Sequence, residues 1–117
     1  MKAARLVGPQ KFEIVDVPDP VPGDQNCIVK LERWSICGSD IRHEYGTVFQ
    51  EEHYPLDPGF PCHELVGSIV ESRSDLWTEG QRVIVIPHLG ANGLTEYTEA
   101  LPNRMIPIPD EGDAGDW

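Results

Sequence analysis

Eleven glycines and eleven prolines are spread over 117 residues, so the chain is cut into pieces too short for long helices. The segments between these breaks are rich in β-branched residues. "KAARLV" (2–7) and "KFEIVDV" (11–17) flank "GPQ", which reads as a turn, and "PDPVPGDQN" (18–26) reads as a loop. "CIVKLERWSI" (27–36) alternates partly between apolar and polar residues, and "CHELVGSIVES" (62–72) and "QRVIVIP" (81–87) are strand-like. "GLTEYTEALPNRMIPIP" (93–109) reads as one or two short strands broken by prolines. Only "GSDIRHEYG" (38–46) has helical character, with Ser39 or Asp40 able to cap it. Many short strands at this spacing predict a mainly β fold, a sandwich or barrel with one or two short helices, rather than alternating strand–helix units.

The length suits one domain, residues 1–117, around one core. Twenty acidic residues against nine basic ones give a formal charge of −11, a surface that repels phosphate backbones and disfavours nucleic acid as a partner. No apolar run has the length of a membrane span, and the first residues lack the pattern of a signal peptide, so a cytoplasmic location is expected. Cys27, Cys37 and Cys62 are odd in number and carry no secretory context, which favours free thiols or thiolate ligands over a disulfide framework. No Gly-x-Gly-x-x-Gly stretch is present, so the chain has no evident nucleotide-binding half.

Two short clusters carry chemistry. "CGSD" (37–40) follows a predicted strand and opens the short helical segment, where unpaired amides stabilise a thiolate. "CHE" (62–64) offers sulfur, nitrogen and oxygen, the three donor types that zinc accepts. Structural zinc sites come as closely spaced cysteine pairs, which are absent. Single ligands far apart in sequence, such as Cys37 and His63, fit a catalytic zinc with three protein ligands and an open position. From the residues alone, buried thiols and an ordinary hydrogen-bonded histidine are the favoured account, with the metal reading the alternative. A cysteine–histidine nucleophilic pair has no orienting signature here.

Four motifs in order resemble the N-terminal, GroES-like catalytic domain of the zinc-dependent medium-chain alcohol dehydrogenases. They are "CGSD", "PGFPCHELVGSIVE" (58–71), "EGQRVIVIP" (79–87) and "GLTEYTEALPNRMIPIPD" (93–110), and together they span nearly the whole chain. The resemblance implies a partly open GroES-like β-barrel. It makes Cys37 and His63 similar to catalytic zinc ligands, and Glu64 similar to the acidic neighbour that can itself coordinate the metal. Ser39 matches the hydroxyl that contacts the substrate alcohol, and Asp40 a carboxylate that orients the ligands. It further implies hydride transfer between NAD or NADP and a small alcohol, polyol, aldehyde or ketone, with zinc as Lewis acid. The dinucleotide-binding domain and a third zinc ligand would lie outside this chain, which alone should then be inactive, and the parent enzyme would be a homo-oligomer.

The chain departs from that pattern in places. Cys62 stands where the family usually has glycine, and Arg42 where a relay histidine often lies, with His43 one step later. Between Pro87 and Leu94 only "HLGANG" is present, so the family's four-cysteine structural zinc lobe is expected to be absent. Trp34 is expected in the core or a pocket wall, and Tyr45 and Phe49 in a pocket. Two other readings stay open: a non-enzymatic co-chaperonin of the same barrel, and a zinc-free reductase of the same superfamily.

Overall fold

The computed structural model describes residues 1–38, 54–87, 92–110 and 112. It is built from short antiparallel strands, as the glycine and proline spacing predicts. The elements are β1 (Lys2–Gly8), β2 (Lys11–Asp16), β3 (Cys27–Ser35), β4 (Glu64–Ser72), β5 (Arg82–Val85), β6 (Tyr97–Ala100) and β7 (Met105–Pro107). One 3₁₀ turn, Pro102–Arg104, separates β6 from β7, which divides the last predicted segment into two strands. The helix predicted at 38–46 falls almost wholly outside the described residues, as do Ser39, Asp40, Arg42, His43, Tyr45, Phe49 and the stretch 88–91. Among the described residues no helix is long and apolar enough to cross a membrane.

β1 and β2 form a two-stranded ribbon, and the other strands form one sheet in the order β6–β3–β4–β5–β7. Backbone bonds tie the ribbon to the segments that lead into β4 and β6. Ala4 N donates to Leu94 O at 2.8 Å, Leu56 N to Leu6 O at 2.9 Å, and Gly59 N to Ala4 O at 2.8 Å. The closure is incomplete, which gives the partly open barrel expected from the sequence.

Alternation puts one face of each strand inside. Cys27, Val29 and Leu31 of β3, Leu65 and Ile69 of β4, and Val83 and Val85 of β5 form the core with Ala100 and Met105. Burial of each larger aliphatic side chain there contributes about 1.5–3 kcal/mol. Trp77 packs against this core and donates its indole N–H to Pro102 O at 2.9 Å.

Two bulges bend β3 against β4, between Ile28 and Val29 and between Leu31 and Arg33. At the second, Gly67 lies so close to β3 that a Cβ would stand 2.2 Å from Lys30 O and 2.8 Å from Val29 Cγ1. Only glycine fits this approach, because the obstacle is backbone and cannot swing aside. Gly67→Ala is therefore expected to destabilise the chain by about 1–3 kcal/mol in urea unfolding, the usual range for forced overpacking. A change below about 0.5 kcal/mol would show that β3 and β4 can separate there without cost.

Candidate metal centre

The register of one strand pair builds the site. β3 ends at Ser35, which pairs with Glu64, the first residue of β4. Antiparallel pairing puts the chain leaving β3 beside the chain entering β4. Cys37 and His63 thus become neighbours although 25 residues intervene in sequence. One ligand atom from each of Cys37, His63 and Glu64 lies within 4.8 Å of the other two. Cys37 and His63 are half-buried, and Glu64 is exposed.

The approach to His63 is held by backbone. Gly59 adopts φ 86°, a left-handed conformation in which it donates to Ala4 O and accepts from Leu94 N at 2.9 Å. Cys62 bridges Asn92, and its carbonyl accepts from Gly93 N at 3.1 Å. Gly93 is itself confined, since a Cβ there would meet Leu65 Cδ2 at 2.6 Å and Cys62 O at 2.7 Å. Trp34 donates its indole N–H to Gly93 O at 2.7 Å, which ties the end of β3 to the same clamp.

Successive side chains of an extended segment face opposite ways. Cys62 is fully buried in the core, with its thiol 3.7 Å from Ser35 O, while His63 turns outward beside Cys37. A thiol in that position acts as a small apolar group. Cys27 is likewise buried, its sulfur 3.4 Å from Ser72 Oγ. Of the three thiols, only Cys37 belongs to the cluster.

Zinc binds sulfur at about 2.3 Å and nitrogen or oxygen at about 2.0–2.2 Å. Tetrahedral geometry at those lengths separates donors by roughly 3.3–3.8 Å. The 4.8 Å bound on the cluster is about 1–1.5 Å wider than that spacing, and its sulfur, nitrogen and oxygen set suits zinc. His63 and Glu64 also line an open cavity of about 760 Å³ on the outer side of the sheet. Its walls are Trp34 of β3 and Ile36 just after it, Val66 of β4, and Ile84 of β5 and Ile86 just after it, with Arg33 on one side. Trp34 is a pocket wall, as anticipated. Arg33, Ile84 and Ile86 were not singled out by the sequence, although the alternation of "RVIVI" places Ile84 and Ile86 together on one face.

Residues 23–110 match the family model of the alcohol dehydrogenase GroES-like domain, and the chain belongs to that family. The chain is 40% identical over 79 residues to L-threonine 3-dehydrogenase of Cutibacterium acnes, which covers 65% of this chain and 22% of that protein. It is 37% identical over 94 residues to an uncharacterized zinc-type alcohol dehydrogenase-like protein of Haemophilus influenzae, covering 76% of this chain and 26% of the relative. The matched stretches thus span about a quarter of these relatives. Galactitol-1-phosphate dehydrogenase from Escherichia coli has the same fold over 99% of this chain and 40% of its own, with a TM-score of 0.78 at 17% identity.

The burial of Cys62 generates a prediction. Cys62→Gly should leave zinc uptake at its original stoichiometry while lowering stability by about 1–3 kcal/mol through the lost core volume. Elemental analysis of the purified variant together with urea unfolding checks both halves. Loss of zinc from a folded variant would put Cys62 among the ligands.

Proposed function

We propose that this chain is the metal-binding, substrate-side half of a zinc-dependent dehydrogenase that exchanges hydride between an alcohol or polyol and NAD or NADP. The observation that carries the reading is the convergence of Cys37, His63 and Glu64 on one point at the edge of an open cavity. Family membership and the zinc-type relative support it. Cys37 and His63 hold the ion, and Glu64 completes or exchanges within its coordination. Zinc held there supplies a Lewis acid for a substrate oxygen.

This chain's own residues do the rest on their side of the reaction. Trp34, Val66, Ile84 and Ile86 present an apolar wall to the carbon skeleton and exclude water from it. The backbone clamp at Gly59, Cys62 and Gly93 fixes the direction of His63. Ser39, two residues after Cys37 in sequence, relays the substrate hydroxyl proton by passing its own on toward solvent, and Asp40 orients the ligands. The dinucleotide-binding domain and a further ligand come from outside residues 1–117, in a homo-oligomeric parent.

Zinc titration of the chain, with cobalt as a spectroscopic substitute, tests the metal reading. A thiolate-to-metal absorption band and a rise in thermal stability are expected with the original sequence. Both should disappear in Cys37→Ser, and His63→Ala should weaken binding by at least roughly tenfold. With zinc, NAD or NADP and a panel of alcohols, residues 1–117 alone should show no reduced nicotinamide. Metal-independent stability and no thiolate band would overturn the assignment.

A further inference from the structure

Cys37 and His63 lie beyond the β3–β4 ladder, on two separate arms of the chain. The first arm leaves β3 through Ser35 and Ile36, and the second enters β4 through Cys62. The last ladder pair, Ser35 with Glu64, joins the arms on one side. Terminal pairs of a ladder open most readily. That pair alone therefore does not hold two residues outside it at a fixed spacing.

A third segment joins the arms from another side, and Gly93 touches both. Its N–H donates to Cys62 O at 3.1 Å, and its carbonyl accepts the Trp34 indole N–H at 2.7 Å. Asn92 bridges Cys62, and Leu94 N donates to Gly59 O at 2.9 Å, so this segment runs along the second arm. Gly93 is packed so closely against Leu65 and Cys62 O that a Cβ would not fit. Trp34 is the ladder partner of Leu65. The indole bond thus closes a ring that runs from β3 through Gly93 and Cys62 into β4 and back. Gly93 O also accepts from Thr95 N at 2.8 Å, so loss of the indole donor would orphan no acceptor. Trp77 provides a contrast. Its indole also donates to a carbonyl, Pro102 O at 2.9 Å, but that bond ties the loop after β4 to the turn after β6 and touches neither arm.

We propose that Trp34 is a positioning residue for the metal site: its indole N–H ties the Cys37 arm to the segment that holds the His63 arm, and so sets the spacing of the two ligands before an ion binds. The proposal rests on the metal-site reading for what that spacing serves. A preset spacing lowers the ordering cost of binding. Partners one step behind a metal ligand typically contribute about tenfold or more to affinity.

The test uses residues 1–117 without substrate, so that the wall Trp34 presents to the cavity plays no part. Zinc and cobalt are titrated into the original chain, Trp34→Phe and Trp77→Phe. Trp34→Phe keeps an aromatic ring and loses the N–H. It should bind either metal about tenfold more weakly, with the cobalt ligand-field bands displaced, while its urea midpoint falls no further than that of Trp77→Phe. Trp77→Phe should keep the original affinity and bands. Coupling is reciprocal, so in the original chain zinc should slow hydrogen exchange of the Trp34 indole N–H, followed by NMR, more than that of Trp77. Unchanged affinity and bands in Trp34→Phe, an equal loss in Trp77→Phe, or a Trp34 indole indifferent to zinc would overturn the proposal. An original chain that takes up no zinc would overturn the metal reading. Amide exchange in the metal-free chain then decides the role of Trp34, which stands if Trp34→Phe speeds exchange at Gly93 about tenfold and falls if it does not.

Discussion

The pairing of Ser35 with Glu64 is the constraint on which the candidate site depends. Neither Cys37 nor His63 lies within a strand, so neither is held by the ladder directly. Both stand just beyond its last pair, and that pair brings two distant parts of the chain together. The close approach of Gly67 to Lys30 O lies a few residues away on the same two strands. The bulge at Leu31–Arg33 lies beside it and decides which β3 side chains reach the outer face.

The adjoining residues Cys62 and His63 show how one extended segment serves two purposes. Cys62 fills the core and His63 faces the cavity, and the carbonyl between them is tied to Gly93. A donor histidine on a free loop would lose side-chain entropy of order 1 kcal/mol on binding a metal. Here much of the backbone ordering is already supplied by core burial and by the bonds from Gly59 and Gly93. Rigidity behind the site and openness in front of it come from the same strand geometry.

Much of the fold was legible because glycine and proline mark strand ends in a physically direct way. "GPQ" became the β1–β2 turn, with Gln10 at φ 58°, and the prolines near 102 and 107 bounded β7. The cluster was legible because a rare combination of donors follows strand signals at both ends. The cavity wall was not legible to the same degree. "RVIVI" reads as a strand whichever face is buried, and only pairing with β4 shows that Val83 and Val85 go inside while Ile84 and Ile86 face out. Arg33 was hidden for a related reason. It follows a bulge, where the simple period of two no longer reports which side a residue faces.

Register then links stability to the shape of the cavity. A shift of β5 by one residue would carry Ile84 and Ile86 into the core and expose Val83 and Val85. Two isoleucines for two valines is a small change in hydrophobicity, so the apolar pattern of β5 alone discriminates weakly between the registers. The polar residues decide. Arg82 shares the outer face with Ile84, lies near Glu32, and donates to the carbonyls of Asp110 at 3.2 Å and Gly112 at 3.0 Å. The slipped register would turn that guanidinium toward the core, where an unpaired charge costs several kcal/mol. The Arg82 contacts thus select the arrangement in which Ile84 and Ile86, rather than smaller valines, shape the cavity beside His63 and Glu64.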